Sequence, residues 1–292
     1  MTEKFTRRTL LFSAAIAAAA APPDTRLPIR KAVEFNMLPK GPILDAFTIA
    51  RDAGFEEIEC PTTPQQDRAE EMLAASRKTG LRIHSVMNEE HWRSPLSSVD
   101  PAVVEKSLEG MRTSLHNAHL WGSDTVLLVP AVVNPETRYA DAWERSQRQI
   151  RKLIPLAAEL KVIIAIEEVW NKFLLSPLEF AHYVDEFKSP WIKAYFDVGN
   201  VVIFGYPQDW IHTLGKRFRK VHLKDFKVLT NGFSPFQTQF VNLGDGDIDW
   251  PAVRKAFADV GYTGWTTVEL DPGDEAYLRD VAKRVDKLVL GM

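Results

Sequence analysis

Apolar strand runs alternating with amphipathic helical patterns predict an α/β chain folded as a single (β/α)8 TIM barrel, and three observations carry that expectation. The first is a count: eight strand-like runs, each followed by a helical pattern, fill about 265 residues, the length of one such barrel. The second is texture. Val162-Ile163-Ile164-Ala165-Ile166 is β-branched and continuously apolar, as a parallel strand covered on both faces must be. The third is position, because ionisable residues stand where these runs end, and barrels keep their chemistry at that end. A doubly wound open sheet needs fewer strands.

The elements follow in order. A strand over 29–36 leads to a helix over 43–53 that Gly54 ends, and 55–60 is the second strand. A helix over 65–79 stops at Gly80, where glycine adopts the left-handed conformation of a helix end without strain, and 81–87 is the third strand. Asp100-Pro101 opens a long helix in which Val104, Leu108, Met111, Leu115 and Ala118 recur at spacings of three and four. Gly122 closes it, 125–133 is the fourth strand and 138–160 the next helix. The fifth strand starts at Val162 and ends in Glu167-Glu168. Ser176-Pro177-Leu178-Glu179 then reads as a capped helix start, with Pro at the first helical position and Glu three residues after the cap. A helix over 177–187, a strand over 192–196, a helix over 207–214, a strand over 220–223, a Gly-rich loop, a helix over 251–260 and a strand over 264–270 complete the alternation. The last helix carries Leu278, Val281, Val285 and Leu288 on one face.

The N-terminal 23 residues differ in character. Arg7-Arg8 precede a modestly apolar segment and an alanine run to Ala21, followed by Pro22-Pro23. This predicts a cleavable export signal of the twin-arginine type over 1–23, with the barrel domain over 24–292 and a periplasmic destination. The segment is too short for a spanning helix, and no cysteine follows it to take a lipid, so no stable membrane anchor is expected. The alternative is an alanine-rich N-terminal helix. A formal net charge of -3 gives no general attraction to nucleic acid, and the single cysteine, Cys60, excludes an intrachain disulfide. A homo-oligomer is left open.

Polar residues at the strand ends carry the functional argument. The second strand ends near Glu59, the third carries His84, the fifth ends at Glu167 and Glu168, the sixth at Asp197, the seventh holds His222 and the eighth Glu269. Buried ionisable groups are costly unless paired or bound to a cation, so their convergence on one barrel mouth calls for a metal. Carboxylates with a single imidazole suit Mn2+, with Mg2+, Co2+ or Zn2+ as alternatives. Such an ion supports removal of a proton next to a carbonyl, through an enediolate, with two carboxylates exchanging protons.

Several stretches resemble the sugar phosphate isomerase/epimerase family, the xylose isomerase-like barrels. They are 165–177 (AIEEVWNKFLLSP), 195–200 (YFDVGN), 221–226 (VHLKDF) and 243–250 (LGDGDIDW), and the likeness extends over nearly everything from Ile29 onward. The resemblance implies a metal held by Glu167, Asp197, His222 and Glu269, with Glu167 and Glu269 as the proton-transfer pair. It implies a small sugar substrate; Glu59, His84, Asn200 and Lys224 are expected to contact it from their places at the strand ends, and no nucleic acid partner is expected. Glu168 stands where members commonly have Asn, Asn200 where related ketose epimerases carry a histidine, and Val228 where they carry an arginine.

Each residue also has a plainer reading. Asp197 before Val198-Gly199 caps a turn in many proteins, a lone histidine such as His222 is usually satisfied in a core, and Glu59 and His84 fit structural roles nearly as well as pocket ones. His91-Trp92 and Trp170 are candidate walls for a sugar or simple packing. His116, His119, His182 and His212 fall within helices and belong to the outer ring. The expected activity is a sugar isomerase or ketose 3-epimerase, an isomerase. Its rivals are a keto-sugar or cyclitol dehydratase, a sugar-binding protein without turnover and, with less support, an abasic-site endonuclease. A Gly-rich phosphate loop of the P-loop type is missing, which points away from a phosphorylated substrate.

Overall fold

The computed structural model describes residues 26–228 and 238–292. The signal segment expected over 1–23 lies outside the described residues. β-Branched and apolar runs form the strands β1 (Arg30–Glu34), β2 (Glu57–Pro61), β3 (Arg82–Met87), β4 (Thr125–Leu128), β5 (Ile163–Glu167), β6 (Ile192–Asp197), β7 (Phe218–Leu223) and β10 (Trp265–Val268). These eight pair in parallel into a closed barrel, in the order β1-β10-β7-β6-β5-β4-β3-β2. Closure removes every open edge, so the ladder's backbone groups are satisfied within the ring.

Among the described residues, eight helices ring the barrel: α1 (Ile43–Ala53), α2 (Gln66–Thr79), α3 (Pro101–Trp121), α4 (Tyr139–Leu160), α5 (Pro177–Asp185), α6 (Pro207–Leu214), α7 (Trp250–Asp259) and α8 (Glu275–Val285). Their starts are chemically set. Asp100 accepts the Ala102 N–H at 2.8 Å, and Ser176 accepts that of Glu179 at 3.3 Å while Glu179 takes the Leu175 N–H at 2.8 Å. Satisfying these otherwise orphaned donors is worth about 1 kcal/mol per cap. Each helix turns an apolar face to the sheet, and Phe47, Phe180, Tyr183, Trp210 and Phe257 are completely buried there. Burial of such side chains contributes roughly 1.5–3 kcal/mol apiece. A smaller apolar group, Leu127, Val129, Ala165, Val169 and Tyr195, fills the barrel interior beneath its mouth.

The structure corrects the alternation in one place. Between β7 and α7 the chain forms an antiparallel pair, β8 (Asp225–Val228) with β9 (Thr238–Val241), where a Gly-rich loop is expected from the sequence. Asp225 pins it: its carboxylate accepts the N–H of Phe226 at 2.8 Å, of Gly244 at 2.7 Å and the Trp250 indole at 2.8 Å. Gly246 packs so closely that a Cβ there would lie 2.1 Å from Asp225 Oδ1. The fourth strand also ends at Leu128, short of the predicted 133, and α5 ends at Asp185.

Candidate metal centre

Four strand ends place four ionisable side chains around one point. Glu167 and Asp197 are the last residues of β5 and β6, His222 lies one residue before the end of β7, and Glu269 follows β10 directly. The ladder brings Asp197 opposite His222 and His222 opposite Thr267. One oxygen or nitrogen from each of Glu167, Asp197, His222 and Glu269 lies within 4.8 Å of all the others. Glu167, rather than Glu168, offers its oxygen to this group. Successive side chains alternate along a strand, and Glu168 turns instead to accept the Asp197 backbone N–H at 2.8 Å.

Every member has a defined partner. His222 Nδ1 lies 2.9 Å from Glu167 and 2.8 Å from Glu269, while Nε2 lies 2.8 Å from Glu59. Glu59 is closed on its other side by the Tyr195 hydroxyl, which donates at 2.7 Å. Ladder irregularities fall beside both residues, between Ile58 and Glu59 and between Ala194 and Tyr195, and such bulges re-aim side chains. Asp197 uses Oδ1 for the N–H groups of Gly199 and Asn200 at 2.7 and 2.9 Å, so it does cap a turn, and its Oδ2 lies 2.9 Å from Lys224 Nζ. Lys224 also lies 2.8 Å from Glu269.

The donor set fits a divalent cation. Three carboxylates and one imidazole make an oxygen-rich ligand group, and Asp197 Oδ2 and Glu269 Oε2 accept no well-aligned hydrogen bond although both are buried atoms beside Lys224. Glu59 holds His222 from behind in the carboxylate–histidine arrangement that orients a metal-binding imidazole. Burial alone would lower the His222 pKa, but Tyr195 and the carboxylates of Glu269, Glu59 and Glu167 raise it well above its ordinary value. Burial pushes Glu167 up to about 7, against the pull of His222. It acts on Glu269 in the same sense, yet Lys224 and His222 hold that carboxyl well below the usual range.

A cavity of about 200 Å3 opens over this centre, with Glu167, Glu269, Asn200 and Lys224 on its polar side. Trp92, Trp170 and Phe240 form aromatic walls; Trp170 stacks on Phe240 at 5.1 Å, and its indole donates to the Asn200 carbonyl at 2.9 Å. Asn200 and Lys224 thus line this cavity. Glu59 and His84 do not: both are completely buried, Glu59 behind His222, and His84 with Nε2 3.0 Å from Thr267 Oγ1 and its ring stacked over Trp265. A larger hollow of about 450 Å3 lies at the opposite end of the barrel, beside Arg219 and Trp265, away from the carboxylate cluster.

Glu34 went unread in the sequence, and His91 was read there only as a candidate wall. Glu34, the last residue of β1, is buried and raised to about 8, chiefly by burial and then by Glu269 and Glu59, while Asn36 donates to it at 2.7 Å. An acid closing Lys31-Ala32-Val33 was its available signal. His91, in a 3-10 turn after β3, lines the cavity.

Known proteins match this fold and sequence. The chain is 27% identical over 237 residues to the putative L-ribulose-5-phosphate 3-epimerase SgbU of Escherichia coli K12, covering 77% of this chain and 82% of that protein. It is 28% identical over 265 residues to the L-ribulose-5-phosphate 3-epimerase UlaE of Escherichia coli O1:K1 / APEC, covering 82% and 88%. Among solved structures, the 3-keto-D-glucoside 4-epimerase YcjR of E. coli superposes with a TM-score of 0.74 at 14% identity, over 89% of this chain and 99% of that one. The IOLI protein, solved with a zinc atom, does so with a TM-score of 0.74 at 16% identity, over 89% and 98%. A sequence profile of one family matches residues 47–287, and on that match the chain belongs to the xylose isomerase-like TIM barrels.

Proposed function

We propose that this protein is a metal-dependent sugar isomerase of the ketose 3-epimerase type, acting on an unphosphorylated sugar. The observation that carries the reading is the convergence of Glu167, Asp197, His222 and Glu269 within 4.8 Å at the foot of a cavity of about 200 Å3. These four residues hold the ion, Mn2+ by the hardness of the donor set. When bound, the ion offsets the negative charge and polarises the substrate carbonyl. Glu167 and Glu269 reach the cavity from β5 and β10 and exchange the proton on the carbon next to that carbonyl, by way of an enediolate. Asn200 and Lys224 orient the sugar, and Trp92, Trp170 and Phe240 shield the reacting carbon from water.

The two sequence relatives described above are named for a 5-phosphate substrate. The cavity argues for a free sugar here. Among the described residues that line it, Lys224 is the one cation, and its ammonium is already placed between Asp197 and Glu269. A phosphate wants arginine, an unengaged lysine or a row of backbone N–H groups. The residues 229–237 add no lysine or arginine.

The test is incubation of the Mn2+-loaded protein in heavy water with D-fructose, D-tagatose, L-ribulose and L-ribulose 5-phosphate. Deuterium entering a free ketose next to its carbonyl is the expected result. Exchange confined to the 5-phosphate overturns the unphosphorylated reading, and binding of sugar with no exchange anywhere leaves a sugar-binding protein. Loss of water from the product identifies a dehydratase. For location, we propose export through Arg7-Arg8; replacing both by lysine is expected to retain the protein in the cytoplasm on cell fractionation.

A further inference from the structure

We infer that His91 is a hydrogen-bond donor to a substrate oxygen, with its proton committed in advance to Nε2 by the backbone of Val129. The inference rests on the ketose reading above and names a residue that neither the metal centre nor the sequence motifs account for.

The argument is one of tautomer. His91 sits in the 3-10 turn Glu90–Trp92, at the C-terminal mouth of the barrel, and is 2% exposed. The N–H of Val129, just past β4, donates to His91 Nδ1 at 3.2 Å. A nitrogen that accepts a hydrogen bond carries no proton, and a neutral imidazole must then carry it on Nε2. Protonation of both nitrogens would set an N–H against the Val129 N–H. Burial works in the same direction, holding the ring neutral with a pKa of about 3 against the pull of Glu269.

His91 Nε2 is buried and has no hydrogen-bond partner among the described residues. A buried N–H left unpaired is costly and uncommon, so a partner is to be looked for. The same side chain lines the cavity that holds Glu167, Glu269, Asn200 and Lys224. All four are engaged: Glu167 and Glu269 with His222, Lys224 with Asp197 and Glu269, and the Asn200 amide with the Glu168 carbonyl at 3.1 Å. Trp92 packs edge-to-face on the His91 ring at 4.9 Å, fixing the ring plane. A neutral donor that cannot turn into an acceptor suits a sugar carbonyl or hydroxyl oxygen. It discriminates against groups that only donate, and it gives a phosphate no charge.

Two measurements test this. With 15N-labelled histidine, long-range 1H–15N spectra of the free protein should show His91, assigned by its loss in His91→Phe, with a bare Nδ1 and a protonated Nε2. Addition of whichever sugar of the heavy-water panel binds should shift that Nε2–H. In turnover, His91→Phe keeps a ring of similar size and loses the donor, so kcat/KM should fall about 10- to 100-fold. His91→Gln restores an amide donor and should recover most of that loss, whereas a purely structural role predicts the reverse order, with Phe tolerated and Gln not. Mn2+ affinity should be equal in all three proteins.

A protonated Nδ1 overturns the inference, as does an Nε2–H that stays unmoved at saturating sugar or a turnover indifferent to both substitutions in an active wild type. A wild type that neither binds nor exchanges any sugar overturns the ketose reading and takes this inference with it. The two failures are therefore distinguishable.

Discussion

At the N-terminal end of the barrel, Glu57 accepts two parallel hydrogen bonds from Arg82, both at 3.0 Å, and has Arg30 at 3.4 Å. Asp124 is held by Arg219 and by Lys220, the latter at 3.0 Å. Lys220 Nζ also rests on the Trp265 ring, 3.9 Å from its centroid, with Arg82 over the same ring at 5.1 Å. Two acids there meet four cations. At the C-terminal end, Glu34, Glu59, Glu167, Glu168, Asp197 and Glu269 crowd around only Lys224 and His222. Arg30, Arg82 and Arg219 are partly exposed, whereas the acids at the mouth, Glu269 apart, are buried without matching cations. One end has closed its charges among its own side chains; the other keeps a surplus of negative charge, which is what a site for a cation requires.

Substitutions break this contrast in order of size. Glu167→Gln at the mouth should lower turnover of the best ketose by about 10²- to 10⁴-fold. Its Tm should stay equal or rise, because a crowded negative charge is gone; a large fall in Tm would place Glu167 with the structural charges instead.

The opposite end should respond in stability alone. Burial lowers the Lys220 pKa to about 8, against the attraction of Asp124. The unfolded chain keeps that proton up to about pH 10.4, so it binds more protons than the folded chain across the window between, and stability must rise with pH there. The gain is up to about 3 kcal/mol. Lys220→Met should abolish the rise, read from denaturant midpoints at pH 7.5 and pH 10 against wild type, while turnover at neutral pH stays unchanged.

Glu59→Gln is a subtler change, since it leaves the ligands in place and loosens only His222. Mn2+ affinity by titration calorimetry should fall about 10- to 100-fold. Unchanged affinity would return Glu59 to the same structural class as His84. Smallest of all, Phe240→Ala strips one exposed ring from Trp170 and should raise KM about 3- to 10-fold without altering metal affinity. A change in metal affinity would mean that the aromatic wall and the cluster are not separate.

The barrel was legible in the sequence because a strand covered on both faces, such as 162–166, is a continuous apolar run, and several helices start at a capping residue, Asp100 or Ser176, or stop at a glycine, Gly54, Gly80 or Gly122. The four clustered residues were legible for the same reason: Glu167, Asp197, His222 and Glu269 interrupt those runs at their ends. Depth was not legible. Glu59 and His84 interrupt strands just as visibly, yet they sit below the mouth, because the layer a side chain occupies is set by strand stagger around the ring and by the bulges at Ile58/Glu59 and Ala194/Tyr195. The β8–β9 pair was lost because its strands are four residues each and no two-residue turn joins them, which removes the usual hairpin signal. His91 was visible as a candidate wall, but its committed tautomer depends on a backbone N–H 38 residues away.

The β8–β9 hairpin has a consequence for how such proteins change over time. It belongs to neither the ring of strands nor the ring of helices, and it is fastened to the start of α7 and the loop before it by Asp225, which holds Gly244 and Trp250, and by Asp247, which accepts the Val228 N–H at 2.7 Å. Phe240 rides on it and borders the cavity, while the four clustered residues come from the barrel alone. Inheritance can therefore lengthen, shorten or redecorate this ribbon without disturbing strand closure or the four clustered residues. Diversification of diet on an unchanged reaction needs a part of this kind, joined at the rim and dispensable to the frame.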